Sequence, residues 1–150
     1  MSTNLMPTHE YIIVDENGKC SHPDAAVLSG RDLTGHFSRF GIYFGNAFIS
    51  GGPIAVSVGE GKYFLSIAHV RDTDGVYHHI PYLMSALPPF DVVHVAHELV
   101  LHSQIRVPKK NYLVSFVSGI HIEGSKVVIS YGSADFFSKI HVTTLHALFP

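Results

Sequence analysis

From Pro53 onward the chain is written in short runs that alternate apolar and polar residues, each cut off by a turn signal. "PIAVSVG" stops at "GEGK", "KYFLSIAHV" runs to "RDTDG", "VYHHIPYLMSAL" ends at Pro88-Pro89, and "FDVVHVAHELVL" follows. A period of two buries one face of a strand, and Gly or Pro between such runs marks a reversal. Consecutive strands joined by short turns predict an antiparallel meander. After a loop containing "RVPKKN" the pattern resumes with "YLVSFVSGIHIEG", "SKVVISYG" and "FFSKIHVTTL". Their turns fall at Glu123-Gly124-Ser125 and from Gly132 to Asp135. No stretch sustains a 3.6-residue apolar period over a helical length; "TLHALF" has room for a single turn. The expected fold is all-β, two consecutive antiparallel β-meanders over Pro53 to about Leu99 and Tyr112 to Leu145.

Two sheets of about four and three strands have the unit size of β-propeller blades, and a β-sandwich would use the same strands. The chain supplies too few strands to close a propeller, so the expected propeller is incomplete. At least one sheet edge should then stay unpaired and seek further blades in trans or a second copy. Residues 1–50 are expected to form an N-terminal strand and irregular loop segment, and 51–150 the two blades. Within the first part, residues 1 to 10 read as a frayed leader and "YIIVD" as a short strand before the turn Asn17-Gly18. Cys20 to about Phe40 reads as an irregular polar loop with room for one helical turn.

The length of 150 residues suits one domain able to bury a sizeable core, and 46% hydrophobic residues make it globular. A formal net charge of −2 gives no electrostatic motive for nucleic acid or an anionic membrane. No apolar run reaches the roughly 18 residues of a membrane span, and the N-terminus lacks the pattern of a signal peptide. Cys20 is the single cysteine, which excludes an internal disulfide. A soluble, cytoplasmic protein is the expectation.

Histidine occurs twelve times, which raises the question of a metal. "HVAHELVLH" places His94, His97, Glu98 and His102 near the zinc-protease pattern, but that pattern needs its second histidine at i+4 on a helix. His102 falls at i+5 from His97, and the Val-rich surroundings read as a strand. His94 and His97 then point to opposite faces, as do the adjacent His78 and His79. No structural metal is expected.

Three segments carry a resemblance: "SGGPIAVSVGEGKYFLSIAHV", "YHHIPYLMSALPPFDVVHVA" and "FVSGIHIEGSKVVISYGSADFFSKIHVTTL". In this order they resemble the later, C-terminal blades of the five-bladed β-propeller glycoside hydrolases and phosphorylases. The likeness is greatest to the β-mannoside phosphorylase family and its uncharacterised bacterial relatives. In that family a glycine-rich loop ending in proline opens a blade, a strand ends in histidine, and a "PPF" corner precedes the outer strand. The next blade runs from "F-x-x-G" to a "YG-x-x-D" turn. The likeness covers Ser50 to Leu145, roughly two thirds of the chain.

The resemblance implies a carbohydrate ligand, a mannoside or related glycoside, with inorganic phosphate as a co-substrate in the phosphorylases; no other cofactor is implied. It places Asp135 at the sugar pocket, where a carboxylate accepts hydrogen bonds from hydroxyls. Tyr131 would offer an aromatic face, and His69 would help to hold phosphate or the reacting sugar. Arg71 shares a strand face with His69, which suits an anion. Gly51 and Gly52 would let the backbone approach the axis, and His79 or His78 would reach the pocket mouth. His69, Tyr131 and Asp135 are expected on one rim. Each has a structural alternative: Asp135 as a turn cap, His69 as a buried histidine, the glycines as a plain turn. The family takes its general acid from the first blades, and nothing before Ser50 matches those. Inverting cleavage needs two positioned groups, so the chain alone is not expected to turn over substrate. A non-enzymatic β module for protein or glycan contact, and an unrelated small sandwich, remain open at this point.

Overall fold

The computed structural model describes the strands at 2–4, 8–11, 28–32 and 48–50, the turn residue Asn17, and residues 52–71, 76–88, 90–101, 114–134 and 136–150. The strands are β1 (Ser2–Asn4), β2 (Thr8–Tyr11), β3 (Leu28–Asp32), β4 (Phe48–Ser50), β5 (Val56–Val58), β6 (Tyr63–Arg71), β7 (Tyr77–Ser85) and β8 (Val92–Val95). They continue with β9 (Ser115–Glu123), β10 (Lys126–Ser133) and β11 (Phe137–Thr144), and a one-turn helix α1 (Leu145–Leu148) ends the chain. The fold is all-β. Each of the seven runs read from the alternation holds one strand, from β5 to β11.

The first meander forms the sheet β5-β6-β7-β8, all antiparallel, and β4 joins the same edge of β6. β5 pairs the start of β6 (Val56 opposite Leu65) and β4 its end (Ser50 opposite His69). Between them the backbone detours past the middle of β6. A Cβ on Gly52 would lie 1.8 Å from the Ile67 carbonyl oxygen, so only glycine fits that approach. Pro53 has no amide hydrogen for a ladder, and its carbonyl accepts from Ser66 Oγ at 3.2 Å. The detour is where the edge strand breaks in two.

The second meander gives β9-β10-β11. Gly124 takes φ +59° at the first position of a two-residue turn between Glu123 and Lys126, which are paired. That is the place of glycine in a type II′ hairpin, whose twist matches the strands it joins. β9 carries an extra residue, Ser118, between Val117 and Gly119, which face Tyr131 and Ser130. The Ser118 hydroxyl donates to the Ser130 carbonyl, which holds the bulge in place. α1 starts at Thr144, whose hydroxyl accepts from the Ala147 amide.

Along β10 every second residue is buried: Val127, Ile129, Tyr131 and Ser133. Val127, Ile129 and Tyr131 join Val58, Leu65, Ile67, Leu101, Val117 and Leu148 in a core shared by the two sheets. β6 is buried on both faces from Leu65 to Val70, so the first sheet is sandwiched where the second has one face toward solvent. Burying an aliphatic side chain of this size stabilises by about 1.5–3 kcal/mol, and the core binds sheet to sheet. Two antiparallel meanders that share a core without closing a ring make an incomplete, unclosed propeller-like arrangement.

The first 50 residues differ from the expectation. Strands stand at 2–4 and 8–11, where a frayed leader was expected, and β3 lies inside the segment read as loop. β1, β2 and β3 form a separate three-stranded sheet. Their sequences, "STN", "THEY" and "LSGRD", show no apolar alternation. Ladder pairing holds such strands against weak local preference. Of "YIIVD", Tyr11 ends β2 and the rest lies outside the described residues.

Candidate functional site

Moving along the inner face of β6 and β7, the layer between the sheets changes character. Leu65 and Ile67 are opposite Leu83 and Pro81; next come His69 opposite His79, then Arg71 opposite Tyr77. The alternation forces this order, because residues two apart on a strand share a face. The apolar core gives way to a histidine pair, and that pair to an arginine and a tyrosine at the strand ends.

Both histidines are buried, His69 at 1% exposure. Their rings meet edge to face with centroids 5.3 Å apart, and the ring of Phe116 on β9 lies 4.1 Å from that of His69. Nε2 of His79 is 3.0 Å from the Ser115 carbonyl oxygen. A carbonyl only accepts, so Nε2 carries the hydrogen and Nδ1 keeps the lone pair. Neither ring nitrogen of His69 makes a hydrogen bond among the described residues. Burial first, and the neighbouring His79 second, push the pKa of His69 down to about 4. His79 is likewise pushed down to about 4, by burial, against the opposing pulls of Ser115 and Glu98. Both rings are neutral at pH 7.

Beside this pair is a pocket of about 140 Å³ lined by the polar residues Tyr77, His79, Glu98 and Ser115 together with Val76 and Leu99 to Leu101. Glu98 is held by Nδ1 of His78, 2.8 Å from its Oε1. His78 points to the opposite face of β7 from His79, as the adjacency demands. The Leu99 amide donates to the His79 carbonyl at 2.8 Å, which ties the segment after β8 to β7. Below the few hundred Å³ of sites for larger molecules, this volume suits one small ligand.

The structure brings together His69, His79, Arg71 and Gly52, whose backbone passes His69 so closely that a Cβ would sit 3.6 Å from Nε2. Tyr131 stands apart from them in role. It is 7% exposed and belongs to the core between the sheets, opposite Val117. Neither it nor His69 is on an open rim, because His69 on the first sheet and Tyr131 on the second are both buried. Asp135 and Gly51 lie outside the described residues. The Ala134 amide donates to the Val114 carbonyl, and Ser133 pairs with Ser115.

Glu98, Tyr77 and Ser115 carry no motif that would single them out. Glu98 sits in "HVAHELV", and the i+5 spacing that spoke against zinc hid its use as a wall of this pocket. His94 and His97 are both exposed, and among the described residues no three His, Cys, Asp or Glu side chains gather to hold a metal ion. Compared with family models, curated proteins and solved structures, the chain matches none. Among the described residues no helix is long and apolar enough to cross a membrane.

Proposed function

We propose that this chain is a carbohydrate-binding portion of a propeller-type glycoside hydrolase or phosphorylase, not catalytic alone, that holds a mannoside or related glycoside at the seam between its two sheets. The observation that carries the reading is the convergence of Tyr77, Glu98, His79 and Ser115 on one small pocket. A sugar ring offers C–H faces for an aromatic side chain and hydroxyls for carboxylate, imidazole and serine partners. The sequence likeness adds Asp135, from the turn after Ala134. Two groups placed on either side of a glycosidic bond are needed for cleavage, and the pocket supplies no recognised acid. Catalysis would then draw on further blades, from another chain or a second copy.

Calorimetric titration of mannose and mannobiose into the wild-type chain and into Tyr77→Ala tests the reading. Binding by the wild type that weakens about tenfold in the variant supports it, since stacking on an aromatic ring is worth about 1 kcal/mol or more. No binding of either sugar by the wild type sinks it.

A further inference from the structure

We infer that the seam pocket selects an uncharged, hydroxyl-rich ligand and rejects anionic ones, so that it takes a neutral sugar and neither a sugar phosphate nor free phosphate. The inference rests on the carbohydrate reading above and narrows it. The polar lining holds one carboxylate, Glu98, beside the hydroxyls of Tyr77 and Ser115, which both donate and accept, and among the described residues no lysine or arginine. Glu98 brings a carboxylate, and His79 spends its one N–H on the Ser115 carbonyl, which leaves Nδ1 as a lone pair. A lone pair and a carboxylate are satisfied by groups that donate, such as sugar hydroxyls.

An anion meets the opposite. It would approach a like charge, the Glu98 carboxylate, which is partly exposed and paired with His78, and an imidazole that carries no positive charge. Leaving the Nδ1 lone pair facing an anionic oxygen adds the cost of an unpaired acceptor. Among the described residues the remaining walls, Val76, Leu99, Val100 and Leu101, bring apolar side chains and no compensating cation. Arg71 stands opposite Tyr77 in the ladder, yet it does not line the pocket. His78, the other nearby base, is already engaged by Glu98.

The test is a set of titrations at pH 7.5 with mannose, mannose 6-phosphate and inorganic phosphate, on the wild type and on Glu98→Gln. The wild type should bind mannose about tenfold or more tightly than its phosphate, and inorganic phosphate should not compete with mannose. Glu98→Gln should weaken mannose and narrow the ratio between the two sugars, with an unchanged thermal melt. A wild type that binds mannose 6-phosphate as tightly as mannose overturns the selectivity while the carbohydrate reading stands. So does an unchanged ratio in Glu98→Gln. Silence toward every sugar overturns both.

Discussion

Acidification should loosen this protein at the histidine pair, and the size of the effect follows from the burial of His69 and His79. In the folded chain both rings are pushed from 6.5 down to about 4. The unfolded chain takes up protons near the ordinary value of about 6.5. Between these limits the unfolded state holds more protons, so stability is full above about pH 6.5 and falls as pH drops toward 4. Each pH unit in that window costs about 1.4 kcal/mol per histidine. From pH 7.5 to 5.5 the loss is about 1.3 kcal/mol for each ring, roughly 2.5 for the pair, and the two protons titrate as a coupled unit. His69→Leu should remove about half of this loss. At pH 7.5 it should cost little or even stabilise, because two buried ring nitrogens without partners are replaced by an apolar group. Urea unfolding at pH 5.5, 6.5 and 7.5, followed by circular dichroism, measures both slopes. A stability that stays flat over this range, or a His69→Leu variant with the slope of the wild type, refutes the reasoning.

Gly52→Ala should unfold or misassemble the first sheet at a cost above about 3 kcal/mol, because its Cβ would fall 1.8 Å from a backbone oxygen that cannot turn away. Gly61→Ala is the comparison: nothing lies within 4 Å, and its φ of +81° costs only about 1–2 kcal/mol in a thermal melt. Ile129→Ala, at a fully buried position of the shared core, should lose about 2–5 kcal/mol by denaturant titration. Asp135→Asn should weaken mannose binding by about 1–3 kcal/mol in calorimetry, with the melting temperature unchanged. A lowered melt with no effect on any ligand would instead assign Asp135 to its turn. Ile140 and Val142 are exposed on β11, the last strand of its sheet, so the chain should self-associate in light scattering and Ile140→Lys should reduce it.

The strands were legible because alternation and turn residues agree. Gly124 in "EGSK" and the Gly-rich "GEGK" both reverse the chain where the apolar runs stop, and β5 to β11 follow. The N-terminal sheet was not legible, since "STN" and "THEY" carry neither β-branched runs nor alternation, and the third strand, "LSGRD", is as polar as they are. His69 was legible as a distinctive residue at the end of a strand. Its burial was not, because whether a strand face meets water or a second sheet depends on packing that no local pattern records. Tyr131 shows the same limit: its position in "ISYG" continues the buried register of Val127 and Ile129, and that register places it in the core. Glu98 became visible once the backbone from Ala96 to Leu101 was seen to run beside β7.

The backbone ladders run within each sheet, while the seam is held by apolar packing and the bond from His79 to the Ser115 carbonyl, residues 36 apart in the chain. Each meander pairs near neighbours, so it can form early and cheaply, whereas closing the seam must first pay the loop entropy between β8 and β9. Assembly therefore has an order, two small sheets first and their stacking afterwards, and the ligand pocket does not exist until the second event. Pulsed hydrogen exchange should record it as early protection of the β6, β7 and β10 amides, with the pocket completed later. In such a molecule, a ligand bound at the seam acts as a clasp on the last step of folding.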